Sequence, residues 1–321
     1  MRPSSLRQLC LALALLVPGL AAAQNYPSQD IRLICAFPAG GGADVLVRHF
    51  AEKLRPIVNR TVIVENKAGA GGNIATEYVA RAKPDGYTIY VHAGSAVAAN
   101  QSLFKKLPYD PIRDFEPVSR LGTITLALIV NPSVPAASTQ ELIAYGKANP
   151  GKLTFGSGSS SSRLAAEMLR SVAGLDMVNV PYKSNPQAIT DLLGGQIQLV
   201  FADIATTLPQ ARAGKVKALG VSSAQRSPLA PDLPTMQEAG VQGYELTAWF
   251  AAYVPAGTPE AVVDKLNGAM RTALADEAAA KTLLGAGIEP GASTPEELKA
   301  FTVAETEKWA RIVKAAGIEP E

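Results

Sequence analysis

Short apolar runs alternate with longer amphipathic segments along nearly the whole chain. Residues 31–37, 61–65 and 88–92 have the length and apolar content of strands, as do 124–130, 153–156, 178–180, 199–202, 216–221 and 249–254. Between the first two, Leu46, Phe50, Leu54 and Ile57 recur at helical spacing. A second helix is predicted over 73–82, before the stop signal Lys83-Pro84-Asp85-Gly86. Ser138 with Glu141 forms a capping box for a helix running to Asn149. Thr294 with Glu297 forms another, opening a C-terminal helix towards Ala316. Residues 159–173 read as a serine-opened helix, and 189–193 belong to another. Thr258-Pro259 reads as an N-cap followed by proline at the first helical position. The alternation predicts an α/β fold.

The order of these segments suggests one lobe interrupted by another. The strand at 249–254 reads as a return to the first block, giving 24–126 plus 247–321 as lobe 1 and 127–246 as lobe 2. A chain of 321 residues exceeds what one core usually serves, so two lobes joined by two crossings are expected. The first 23 residues read as an export signal. Arg2 and Arg7 precede the apolar run from Leu9 to Leu16, Pro18-Gly19 breaks it, and Ala21-Ala22-Ala23 offers a cleavage site after Ala23. That run is too short to span a bilayer.

Charge and cysteine content narrow the classes further. Loss of the two leader arginines brings the 30 basic residues level with the 28 acidic ones, so no clustered basic excess points to nucleic acid. Cys35 alone would remain after export, which excludes an internal disulfide. Two histidines and one cysteine supply no zinc constellation, and no G-x-S-x-G elbow surrounds Ser157. No cofactor fingerprint is present either.

Two turns carry the candidate chemistry. Phe37-Pro38-Ala39-Gly40-Gly41-Gly42-Ala43-Asp44 joins a strand to a helix, and its glycines let backbone N–H groups approach an anion at the helix start. The plainer alternative is a tight turn without a ligand. Gly156-Ser157-Gly158-Ser159-Ser160-Ser161-Ser162-Arg163 again links strand to helix, with hydroxyls and a guanidinium that suit a carboxylate. Taken alone, a flexible serine loop with a solvated arginine has the edge. As a pair in different lobes, the two turns suggest jaws on one anionic group. A third glycine-rich turn, Gly69 to Asn73, reads as close strand–helix packing. Asp44 reads as helix N-terminal charge, Asp203 as a polar pocket wall, and Trp249 as core.

Several segments together resemble one family: 37–44, 65–73, 83–88, Leu107-Pro108-Tyr109-Asp110-Pro111, Val180-Pro181-Tyr182-Lys183, 191–196 and 255–259. In this order, across the whole expected mature chain, they resemble the Bug-type solute receptors of tripartite tricarboxylate transporters. The resemblance implies a periplasmic binding protein fold of type II-like form, with two α/β lobes, a hinge and an interlobe cleft. It implies a monomer that is not an enzyme, exported to the periplasm, holding a small carboxylate for membrane permease subunits. By position it implicates Phe37, Ala39, Gly40, Gly41 and Asp44, with Ser157, Ser159, Ser160, Ser161 and Ser162. Ser95, Ala96, Asp203 and Ile204 would complete the walls. The family commonly carries histidine where this chain has Arg163, so Arg163 is expected to meet a second carboxylate, favouring a dicarboxylic acid, aromatic dicarboxylates among them. A sensor feeding a membrane kinase would share the same binding chemistry, and an exported enzyme using the cleft is the remaining alternative.

Overall fold

The apolar runs fall into two sheets in the computed structural model. The model describes residues 26–321 except 38, 40, 41, 316 and 321, and leaves aside the side chains at 42, 43, 71, 95 and 96. The expected export segment therefore lies outside the described residues. The first sheet holds β1 (Ile31–Cys35), β2 (Val62–Asn66), β3 (Thr88–Ala93), β4 (Phe115–Ile124), β10 (Ala248–Pro255) and β11 (Ile288–Pro290). Their order is β11-β4-β10-β3-β1-β2. The second holds β5 (Leu126–Val130), β6 (Leu153–Ser157), β7 (Met177–Pro181), β8 (Leu199–Asp203) and β9 (Lys217–Val221), in the order β7-β6-β8-β5-β9.

Strands β1, β2 and β3 are parallel, with Leu33 opposite Val64 and Ile89. Parallel neighbours need crossover connections, and helices supply them. Helix α1 (Gly42–Val58) links β1 to β2, and α2 (Asn73–Ala80) links β2 to β3. Leu46, Phe50 and Leu54 of α1 are buried as their spacing requires, whereas Ile57 is exposed and Val47 and Ala51 complete the stripe. Helix α3 (Asn100–Leu103) precedes β4. In the second sheet, α4 (Thr139–Ala148), α5 (Ser160–Ala173), α6 (Asn185–Leu193) and α7 (Ile204–Arg212) connect the strands. Helices α8 (Glu260–Ala275), α9 (Glu277–Gly285) and α10 (Pro295–Ala315) follow β10.

The apolar run at 124–130 is not one strand. It comprises the last residue of β4, the buried Thr125, and all of β5 in the other sheet. The chain returns between Val221 and Ala248, and the two passages lie side by side. The Ser222 N–H donates to the Leu126 carbonyl (2.8 Å), the Leu126 N–H to Ser222 Oγ (3.1 Å), and the Leu246 N–H to the Ser222 carbonyl (2.9 Å). One apolar cluster joins Ile34 and Tyr90 of the first sheet to Leu128, Phe155 and Phe201 of the second through Leu246, Trp249 and Trp309. The other faces are covered separately: Leu33, Phe50 and Met270 pack in one cluster, Ile129, Leu192 and Val200 in another.

Capping follows the sequence in part. Glu297 N–H donates to Thr294 Oγ1 (3.1 Å) and the Thr294 N–H to Glu297 Oε2 (2.9 Å), a complete capping box. Thr258 is not an N-cap. Its hydroxyl donates to the Pro255 carbonyl (2.7 Å), and Pro259, with φ −57° and ψ 134°, takes the cap position. Helix α2 stops at Ala80, two residues before the expected end.

His92 in β3 is fully buried, stacked against Tyr90 (4.4 Å) and Tyr253 (5.3 Å), with Nδ1 at the Ala93 carbonyl. Burial pulls its pKa down to about 4, against the weaker opposing effect of that carbonyl. The unfolded chain therefore takes up the proton first, so stability is complete above about pH 6.5 and falls towards pH 4. The loss from this residue is expected to reach about 2 kcal/mol near pH 5. Urea unfolding of the wild type and His92→Phe at both ends of that window checks this. An equal pH slope in the two proteins would refute it.

Candidate ligand site

Both sheets present the same kind of edge to the crossing. In the first, Cys35 of β1 pairs with Val91, Ala93 of β3 pairs with Phe250, and Ala248 at the start of β10 pairs with Ile124. In the second, Leu126 and Ala127 at the start of β5 pair with Asp203 and Val221 at the ends of β8 and β9. Gly156 of β6 lies level with Val200, which places Ser157 at the same rim. The carboxyl ends of β1, β3, β6 and β8 thus converge on Thr125, the kind of crevice in which open α/β sheets bind ligands.

The turn after β1 is held by a polar clamp. Asn66 Nδ2 donates to the Phe37 carbonyl (3.0 Å) and to Asp44 Oδ1 (2.7 Å). Arg48 Nε donates to Asp44 Oδ2 (2.8 Å), and Arg48 Nη2 donates to Asn66 Oδ1 (3.0 Å). Asp44 is buried, so its carboxylate ties α1 to β2 and shapes the turn. Phe37 is half-buried with its ring edge towards Phe250 (6.2 Å), and Ala39 is exposed. Gly40 and Gly41 lie outside the described residues.

After β3, the backbone of Ser95–Ala99 forms a single π-helical turn at the rim. The side chains of Ser95 and Ala96 lie outside the described residues. The Gly94 N–H donates to the Trp249 carbonyl (2.7 Å), and the indole covers Gly94 so closely that a Cβ would stand 1.9 Å from it. Trp249 is therefore core, as its size suggests, and it sets how near the π-turn approaches β10.

The serine turn is more tightly built than a flexible loop. Ser157 Oγ donates to Asn179 Oδ1 (2.7 Å), and the Ser157 carbonyl accepts from the Tyr182 N–H (2.8 Å). The Gly158 N–H donates to Asn185 Oδ1 (3.1 Å). Ser159 caps α5 by accepting from the Ser162 N–H (3.1 Å). Ser162 is fully buried and donates to the Phe201 carbonyl (2.6 Å), so this hydroxyl anchors the helix to β8. Ser160, Ser161 and Arg163 occupy the opening turn of α5, where the first amides lack intrahelical acceptors. Helix α5 has no acidic residue in its first turn, leaving its positive end available to an anion, whereas α7 opens on Asp203.

Asp203 ends β8 and stands at the N-cap of α7 without capping it. Burial pushes its carboxyl pKa up. Ile204 is buried, and its N–H donates to the Thr125 carbonyl (3.2 Å), joining α7 to the crossing. The expected site residues that are described therefore do gather around one rim. Asn66, Asn179 and Asn185, which hold the turns, carry no signal in the sequence because their partners lie elsewhere along the chain. An open groove of about 1150 Å³ lies at the opposite ends of β1 and β3, near Arg32, Tyr78 and Arg81. Arg81 pairs with Glu77 there (2.6 Å) and Arg32 donates to Tyr78 (3.4 Å).

Two α/β sheets joined by a double crossing have the architecture of periplasmic binding proteins. Residues 46–318 match the model of the tripartite tricarboxylate transporter family receptor, and the chain belongs to that family. It is similar to the R. palustris protein Rpa4515 solved with adipate, at 32% identity and a TM-score of 0.83, covering 92% of this chain and 100% of that one. The periplasmic binding protein BugD is 37% identical, with a TM-score of 0.80 and the same coverage. MatC from Rhodopseudomonas palustris, solved with malate, is 29% identical, with a TM-score of 0.77 over 90% of this chain and 100% of its own.

Proposed function

We propose that the chain is an exported receptor that captures a small di- or tricarboxylate between its two sheets and delivers it to a membrane permease, catalysing no reaction. The observation that carries this reading is the convergence of two helix-opening turns, one glycine-rich and one serine-rich, on a single rim. Family membership and the adipate and malate of its structural relatives support a carboxylate there. In this reading the lobes are 24–126 plus 247–321 and 127–246, and they close as a hinge about Thr125 and the Ser222–Leu246 return. Phe37, Ala39, Gly40 and Gly41 form one jaw, with Ser95 and Ala96 beside them. Ser157, Ser159, Ser160, Ser161 and Arg163 form the other, and Asp203 and Ile204 close the wall. Asp44 and Ser162 position their turns rather than meeting the ligand. Arg163 takes the second carboxylate of a dicarboxylic acid. Periplasmic location and a monomeric state follow from the same reading.

A thermal-shift screen of the mature protein against mono-, di- and tricarboxylates, acidic amino acids and phthalate isomers tests the reading. A ligand at 100 times its Kd is expected to stabilise by about 2.7 kcal/mol, a rise of several degrees in Tm. Turnover of any hit, or silence across the panel before and after unfolding and refolding, would defeat it.

A further inference from the structure

Asp203 is the one rim carboxylate whose own bonds do not explain it. Asp44 is matched by Arg48 and Asn66, whereas no N–H, hydroxyl or cation among the described residues reaches the carboxylate of Asp203. An N-cap aspartate ordinarily accepts from the second or third amide of its helix, and this one does not. Asp203 is half-buried, and partial loss of water without a donor raises the cost of its charge, so its retention calls for a partner that arrives later.

The register fixes where that partner would sit. Side chains alternate along a strand, so Asp203 shares a sheet face with Leu199 and Phe201, the face covered by α5. Ser162 of α5 bonds the Phe201 carbonyl, so Asp203 stands just beyond it, at the open end of that face beside the serine turn. The two turns offer N–H and O–H donors, which suit a carboxylate. Asp203 offers acceptors, which suit the opposite kind of group and would repel a second anion.

We propose that Asp203 is a specificity residue and that the ligand is a carboxylic acid bearing a hydrogen-bond donor, a hydroxyl or an ammonium, close to one carboxylate. This rests on the capture reading above and narrows its substrate class. Burial alone raises the Asp203 pKa, with no charged group contributing. The ionisable side chains on elements around it are Arg163, Glu167 and Arg170 on α5, with Glu167 paired to Arg170 (2.6 Å), Arg212 at the far end of α7, and Glu289 beyond Thr125. Glu289 accepts from Thr125 (3.3 Å) and Ser227 (3.1 Å). Lowering the pH therefore protonates Asp203 and removes a charge that favours the donor-bearing acid.

The test is calorimetric titration of the mature protein and its Asp203→Asn variant with matched acids: succinate, malate and aspartate, then glutarate, 2-hydroxyglutarate and glutamate. In one set the substituted acid is expected to bind the wild type at least about tenfold tighter than the plain one, the ratio one charge-assisted hydrogen bond gives. Asp203→Asn is expected to reduce that ratio severalfold, with circular dichroism confirming the fold. In the wild type alone, the ratio should narrow as the pH is lowered, because burial raises the carboxyl pKa and the proton neutralises it. Which substituted acid wins separates hydroxyl from ammonium. Equal or tighter binding of plain acids in every set overturns the proposal, as does a preference unchanged in Asp203→Asn. Binding without donor preference removes this inference alone, whereas silence towards every acid removes the capture reading as well.

Discussion

Gly158→Ala is expected to abolish ligand capture while leaving a folded protein. A Cβ at this position would stand 2.1 Å from the Asn185 nitrogen, 2.1 Å from the Ser184 carbonyl carbon and 2.4 Å from its oxygen. All three are backbone atoms, so no side-chain rotation relieves the clash, and one segment must move away. Displacement breaks the bond from the Gly158 N–H to Asn185 Oδ1 and loosens the neighbouring bond from Tyr182 to Ser157. Overpacking of this kind costs about 1–3 kcal/mol of stability, which a protein with its main cluster intact can absorb. Binding is less tolerant, because the donors of a site work only when aimed within about half an ångström. The affinity for any acid that stabilises the wild type is expected to fall by more than about a hundredfold, equivalent to losing roughly two charge-assisted hydrogen bonds. Titration calorimetry reads this directly. Wild-type affinity in Gly158→Ala would mean that the serine turn does not meet the ligand.

The sequence conveys this turn as a place but not as a mechanism. Apolar runs bounded by Gly, Pro and Ser locate β1, β3, β6 and β8, and glycine or serine after a strand marks the helix starts that follow. Period and punctuation thus lead to the rim where these strands end. The strand β4 is hidden because Phe115–Ile124 contains Pro117, Arg120 and Gly122, which read as a polar connection. In the fold these residues are accommodated: Arg120 lies 5.5 Å from the Phe301 ring, and Gly122 lets β11 approach closely, its missing Cβ site 2.8 Å from the Glu289 carbonyl. The crossing at Thr125 is hidden for a related reason. A buried threonine between two apolar strands preserves the run while the chain changes sheet. Among site residues, Ser162 and Asp44 look like their neighbours in the sequence, yet Phe201 and Asn66, remote along the chain, turn both inward. Asp203 illustrates the converse. The sequence reads it as a polar pocket wall, and only the absence of a capping bond in the fold marks it as lacking a donor among the described residues.

Glu305→Ala is expected to be the most destabilising single truncation of a charged residue in α10, because Glu305 ties the core shared by both sheets. The Glu305 side chain is only 6% exposed. Its Oε2 accepts from Trp249 Nε1 (3.1 Å) and Trp309 Nε1 (3.0 Å), and Oε1 meets Lys308 Nζ at 2.5 Å. Lys308 reaches on to Glu245 (3.1 Å), which lies on the segment returning from the second sheet. Removing the carboxylate strands two indole donors among apolar neighbours and leaves Lys308 with one partner. Breaking a buried pair in this way costs about 3–5 kcal/mol, far more than an exposed ion pair contributes. Glu305→Gln keeps an acceptor for the indoles but sets an amide against Lys308, so an intermediate loss is expected. Urea unfolding at neutral pH ranks the two, and a loss below about 1 kcal/mol for Glu305→Ala, typical of a surface pair, would refute the assignment. The same cluster places Trp249 over Gly94 at the rim. Ligand affinity in the folded fraction of Glu305→Ala is therefore expected to fall as well, because the indole that fixes the π-turn has lost its anchor.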